Sequence, residues 1–217
     1  MQEAAMAVTA ADFFRRTRER LSLEVPAGLT DPAVIPKRGD HDIDPVMEKI
    51  ATVRPIRPAA VLVPIVDRAE PTVLLTQRAA QLTEHSGQIS FPGGKIDAGE
   101  TPRDGALREA EEEIGLSRTV VEPLGYLDVY MTTLGYRIVP LIARVKPPFE
   151  LLLNAAEVDE TFEVPLAFLM EPKNLQRHSR DWQGLTRSYY AIPYEKRYIW
   201  GVTAGILRNL YDRIYRA

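Results

Sequence analysis

The 217-residue chain contains no cysteine and only three histidines, His41, His85 and His178. Disulfides, thiol catalysis and thiolate metal sites are therefore excluded, and a histidine-based zinc centre is not expected. No apolar run approaches the roughly 18 residues that span a bilayer. The first residues, MQEAAMAVTAADFF, lack a basic start followed by an apolar core. A soluble, cytoplasmic protein without a membrane partner is expected. Excess positive charge is also lacking: 27 Lys and Arg against 30 Asp and Glu leave a net charge of -3. That balance argues against a nucleic-acid partner, which a basic surface would favour, but not against a small anion held by local arginines or a metal.

Hydrophobic residues make up 45% of the chain and charged residues 26%, the range of an ordinary globular domain. Thr9 and Asp12 resemble a capping box opening a helix through about Leu21, with Phe13, Phe14, Thr17 and Leu21 on one face. Arg15, Arg16, Arg18 and Arg20 read as its solvated side. Residues 22–45 hold Pro26, Gly28, Pro32, Pro36 and Gly39 and read as a linker. Two apolar runs, AAVLVPIV (59–66) and TVLLTQR (72–78), read as strands joined by a turn. Further strands are expected at 124–133, at 137–145 and as a pair in SYYAIPY and KRYIWG, with an amphipathic helix at 203–215. The expected architecture is an α/β (α+β) sandwich. Residues 1–55 would form a helical extension and linker, and 56–217 the main domain.

One acidic stretch stands apart, GKIDAGETPRDGALREAEEEIGL (94–116). Thr101 can cap a helix that starts at Pro102, and Gly115 can stop it. At about 100° per residue, Ala106, Ala110, Ile114 and Leu107 fall about 60–160° from Glu109, forming an apolar stripe, while Glu112 and Glu113 flank Glu109 within about 60°. Like charges one turn apart repel, and Arg108 relieves only part of this. A hard divalent cation such as Mg²⁺ or Mn²⁺ would remove the conflict. Glu111 points away and reads as solvated.

The residues then match a known pattern. Gly94, five residues, Glu100, seven residues, then Arg108-Glu109-Ala110-X-Glu112-Glu113-X-Gly115-Leu116 resembles the Nudix box. The resemblance implies a Nudix fold, a mixed β-sheet sandwiched between helices, and hydrolysis of nucleoside diphosphate derivatives with Mg²⁺ or Mn²⁺. Carried onto this chain, it implies Glu109, Glu112 and Glu113 as metal ligands, braced by Glu100 and Arg108. Glu157, on a loop where many Nudix enzymes place a further ligand or general base, is a catalytic candidate, and Glu160 is its neighbour.

The flank LLTQRAAQLTEHSGQISFPGG (74–94) resembles the motif preceding the box in the coenzyme A pyrophosphatase branch. Leu74, Leu75, Thr76, Arg78, Ala79, Gly87 and Phe91-Pro92-Gly93-Gly94 match; Thr83 stands where that branch carries arginine. Residues 154–166 and 197–207 resemble later segments of the same branch. Candidate substrate contacts are Arg78, Phe91, Gly93, Gly94 and Lys95, with Arg187 as a further cation. The implied reaction cleaves coenzyme A or acyl-coenzyme A. ADP-ribose, NADH or another such derivative is the rival substrate, and a nucleotide-sensing module without catalysis a third reading. A homodimer follows from the resemblance alone.

Overall fold

A computed structural model describes residues 8–44, 46–83, 85–182 and 185–216. Residues 1–7 of the expected extension and the end of the expected linker at Pro45 lie outside them. Helix α1 (Ala10–Arg20) starts as anticipated, with the Thr9 hydroxyl accepting the Asp12 N–H, and it buries Phe13, Phe14 and Thr17. Its arginines are paired: Arg15 and Arg16 with Asp12, and Arg18 with Glu122.

The expected linker is more ordered than its prolines suggest. It carries strand β1 (Arg38–Gly39) and a 3₁₀ turn at Asp40–Asp42, followed by helix α2 (Val46–Thr52). Two side chains from the main sheet explain this. Arg137, 4% exposed, donates to the carbonyls of Gly28 and Asp31. The Asp40 carboxylate accepts from the Tyr130 hydroxyl and the Thr133 N–H. These bonds form across long sequence separations, which local composition does not report.

Strands β2 (Arg57–Val66) and β3 (Thr72–Arg78) confirm the two apolar runs. Short strands β4 (Ile89–Ser90) and β5 (Gly93–Lys95) precede helix α3 (Pro102–Ile114). The segment expected as one strand at 124–133 divides into β6 (Val121–Tyr126) and β7 (Tyr130–Met131), and β8 (Tyr136–Val145) follows. Strand β9 (Val158–Pro165) leads into the short helix α4 (Leu166–Leu169). Strands β10 (Gln176–Trp182), β11 (Leu185–Tyr194) and β12 (Arg197–Trp200) form an antiparallel sheet of three, one strand more than the expected pair. Helix α5 (Val202–Tyr211) runs into a π turn at Asp212–Arg216.

Nine strands form the main sheet, ordered β1-β7-β8-β2-β3-β4, with β5, β6 and β9 joined to β2, β8 and β3. The β2–β8 pair is parallel and runs from Arg57 opposite Tyr136 to Val66 opposite Val145. Both faces of these strands are covered, which accounts for their unbroken apolar composition. Val63, Ile65, Val73 and Leu75 face a core shared with α1 and α5. Ala60, Leu62, Val66 and Leu74 face a second core containing Ala106, Leu107, Ala110 and Ile114 of α3. Alternation along each strand therefore assigns Arg78, two residues beyond Thr76 and four beyond Leu74, to the α3 side. None of the helices among the described residues is long and apolar enough to cross a membrane.

Candidate active site

Helix α3 begins with the Thr101 hydroxyl accepting the Asp104 N–H at 3.2 Å and has Pro102 as its first residue. It ends at Gly115, whose N–H bonds the Glu111 carbonyl at 3.0 Å, and Leu116 is 1% exposed. These local signals hold the helix with its apolar stripe on β2 and β8, leaving the acids along one edge of the contact.

Arg108 organises the outer part of that edge. Its Nε donates to Glu100 Oε1 at 3.0 Å and its Nη2 to Glu100 Oε2 at 3.1 Å, a two-pronged pair. The same Nη2 donates to the Lys95 carbonyl, while Nη1 donates to Glu109 at 2.9 Å and Glu112 at 3.0 Å. Glu100 also accepts the Asp97 N–H. The hydrogen bonds from Arg108 hold the Glu100 carboxyl below the usual carboxylate range. One guanidinium thereby ties the glycine-containing loop (93–101) to the helix. The Lys95 side chain itself is exposed.

The inner part of the edge is different. Glu113 is only 3% exposed, and its carboxylate accepts one backbone N–H, from Gly93 at 3.2 Å. Arg78 lies 4.0 Å away through Nη1, and its Nε is buried without a partner. Burial pushes the Glu113 carboxyl up to about 8, with the neighbouring charges of Glu109 and Glu157 adding to the rise. Glu109 is raised too, burial being the main cause and Glu112 and Glu157 further ones.

Glu157 reaches this group because the 152–157 loop is fastened across the end of α3. The Leu152 N–H bonds the Ile114 carbonyl and the Asn154 N–H the Glu113 carbonyl, both at 2.9 Å. Asn154 Nδ2 then donates to Glu157 Oε1 at 2.9 Å, and the Glu157 carbonyl accepts the Ala79 N–H. Asn154 is a positioning residue that sequence reasoning missed, since nothing in its local pattern announces a bond to a helix end. Glu160, by contrast, is paired with Arg197 at 2.5 Å, and Arg197 stacks on Phe162.

Two adjacent glycines permit the close approach of loop and helix. A Cβ on Gly93, whose φ is 155°, would lie 2.5 Å from the Ala60 carbonyl oxygen; one on Gly94 would lie 2.5 Å from the Glu109 carboxyl carbon. Phe91 requires correction as a substrate contact: it is 4% exposed and packs in the core shared with α1 and α5. It supports the glycine loop from behind. Arg187 lies opposite Arg180 on the three-stranded sheet, outside the α3 site, with its Nε buried and unpartnered.

Among the described residues, no three acidic or histidine side chains converge into a ready-made metal cage. The donor set still fits a hard cation, since Mg²⁺ retains several waters and needs only one or two carboxylates. Glu113, buried with a single backbone donor, and the partly buried Glu109, which shares Arg108 with Glu100 and Glu112, would supply the oxygens.

A glycine loop laid against an acid-edged helix on a mixed sheet defines the class to which this fold and site belong. The NUDIX domain model matches residues 56–183, more than half of the chain. An uncharacterised Nudix hydrolase, NudL of Yersinia pestis (strain Pestoides F), is 42% identical over 162 residues, covering 73% of this chain and 80% of that protein. The chain belongs to the Nudix hydrolase family, whose members use divalent metal ions. Among solved structures, a Nudix hydrolase of M. smegmatis, RenU, is similar at 26% identity and a TM-score of 0.43, covering 50% of this chain and 70% of that one. An Ap4A hydrolase of C. elegans is similar at 24% identity and a TM-score of 0.42, covering 50% and 80%.

Proposed function

We propose that the enzyme hydrolyses the diphosphate of coenzyme A and acyl-coenzyme A. Water adds to one phosphorus and the bridging P–O–P bond breaks, giving adenosine 3′,5′-bisphosphate and 4′-phosphopantetheine or its acyl form. The observation that carries this reading is Arg78 within the motif of residues 74–94: a partly buried guanidinium with an unpartnered Nε, beside the acidic edge of α3. Such a group suits a phosphate oxygen. The loop between Arg78 and Gln88 is closed by the Arg78 N–H to the Gln88 carbonyl and the Gly87 N–H to the Arg78 carbonyl. It is held to the Glu157 loop through Ala79, Ala80 and Gln81.

Bound Mg²⁺ or Mn²⁺ would neutralise diphosphate oxygens and lower the pKa of its water. Glu109, Glu112 and Glu113 are the residues that would hold it, with Glu157 next to them. Arg108 and Glu100 keep the helix acids and the glycine loop in register. Gly93 and Gly94 let the diphosphate approach the backbone, and Lys95 is available to its outer oxygens. Glu157 would accept a proton from an attacking water.

Thr83, exposed on the loop where the branch carries arginine, keeps ADP-ribose and NADH open as rival substrates. A panel of coenzyme A, its 3′-dephospho form, ADP-ribose and NADH, assayed with metal and read by product identification, tests the reading. Coenzyme A is expected to turn over fastest. Equal rates with and without the 3′-phosphate would remove the claim of coenzyme specificity.

A further inference from the structure

A cleft with a volume of about 570 Å³ lies where the N-terminal segment passes the Nudix loop. That is within the size range of sites for small organic ligands, about 300–1,000 Å³. One side is apolar, formed by Ala27, Leu29, Pro58, Ile96 and Pro102, with the half-exposed Val25 at the rim. The other presents Asp31, Asp97 and Glu100. No lysine, arginine or histidine lines it. Its outer wall is held in place by buried Arg137 through the carbonyls of Gly28 and Asp31.

Strand β5 runs between the active site and the cleft. Gly93, at one end of that strand, bonds Glu113 and lies on the Arg78 side; Ile96 and Asp97, just past the other end, line the cleft. Glu100 belongs to both regions, because it lines the cleft and holds Arg108. A diphosphate seated at Gly93 and Gly94 therefore has a cation at one end and an acidic, partly apolar cleft at the other. Charge decides which half of the substrate goes where. Glu100 and Asp97 are paired with Arg108 at 3.0 and 3.7 Å, so repulsion of a 3′-phosphorylated adenosine falls to Asp31, and the cleft lining offers such a phosphate no cation. A neutral arm with amide and hydroxyl donors, and methyl groups or an acyl chain to bury, is suited to both sides of the cleft.

We propose that this cleft binds the pantetheine arm of the substrate, with Val25, Ala27 and Leu29 of the N-terminal segment as specificity determinants. The inference rests on the coenzyme A reading above and assigns the segment a role in substrate choice. The decisive experiment titrates metal-free protein with pantetheine and S-acetylpantetheine, read by backbone amide shifts and calorimetry. It uses wild type, Ala27→Trp to fill the cleft from an exposed position, and Ala27→Ser as a conservative control. Thermal melts establish that each variant is folded.

Pantetheine is expected to shift the amides of Leu29, Ile96 and Asp97 in wild type and Ala27→Ser but not in Ala27→Trp. In steady-state assays Ala27→Trp should lower kcat/KM for coenzyme A about tenfold or more relative to Ala27→Ser. No pantetheine binding in wild type up to about 10 mM, or equal binding in Ala27→Trp, overturns the proposal even if coenzyme A is hydrolysed. Pantetheine binding that Ala27→Trp abolishes, together with failure to hydrolyse coenzyme A, would instead remove the functional reading and leave the cleft assigned.

Discussion

The two parts of the α3 acidic edge use the same residue type in opposite ways. Around Arg108, one guanidinium serves Glu100, Glu109 and Glu112, and Glu112 remains more than half exposed. Around Glu113 there is one backbone donor, a more distant Arg78 and almost no solvent. The outer acids are electrostatically satisfied by protein and water. Ionising the inner acid creates a charge for which the protein alone supplies little compensation. Burial rather than residue identity thus separates an acid held by arginine from one left short of compensating charge.

The largest effect is expected from Glu113→Gln. Turnover of a diphosphate substrate should fall by about two orders of magnitude or more. The melting temperature of the metal-free protein above pH 8, where the buried carboxyl of pKa about 8 is ionised, should not fall. A drop in both would mean that Glu113 supports the fold, contrary to the contrast drawn here. Arg108→Lys comes next. It replaces the two-pronged pair with a point charge and should reduce metal-dependent activity about 10- to 100-fold, with a smaller effect on stability. Metal titration of activity provides the check.

The glycine loop sharpens the comparison from its other side. Gly93→Ala meets the rigid Ala60 carbonyl and should destabilise the fold by about 1–3 kcal/mol in denaturant titration. Gly94→Ala meets only the movable Glu109 carboxylate, so it should alter metal dependence more than stability. The smallest effect is expected at Glu163, a control acid with its own arginine. Hydrogen bonding to Arg68 lowers its carboxyl below the ordinary range, with Thr72 also contributing. A depressed acid contributes stability above its unfolded pKa and loses it as pH falls through the folded one. Glu163→Gln should therefore cost up to about 1 kcal/mol at neutral pH and nothing in strong acid, as measured by unfolding across that range.

Much of α3 was legible because its signals are local. Thr101, Pro102 and Gly115 act within one turn of the helix ends, and the apolar stripe follows from helical periodicity. The runs at 59–66 and 72–78 were legible for a similar reason, since strands covered on both faces need no polar alternation. The linker was not. Its order comes from Arg137 and Tyr130, 109 and 90 residues from their partners in the chain, and no turn-forming pattern can announce a distant donor. Phe91 showed the same difficulty in a motif: its neighbours Gly93 and Gly94 face the acidic edge, whereas its own side chain turns into the core.

Local residue patterns specify the helix, the glycine loop before it, the order of acids along its edge and the family those residues define. Packing of distant segments sets which acid is deprived of solvent, brings Glu157 to the end of α3 through Asn154, and forms the cleft between the N-terminal segment and Ile96 and Glu100. The physical reason is range. Capping, periodicity and charge spacing act over a few residues and can be read in order, whereas desolvation and long-range hydrogen bonds depend on which distant segments exclude water together.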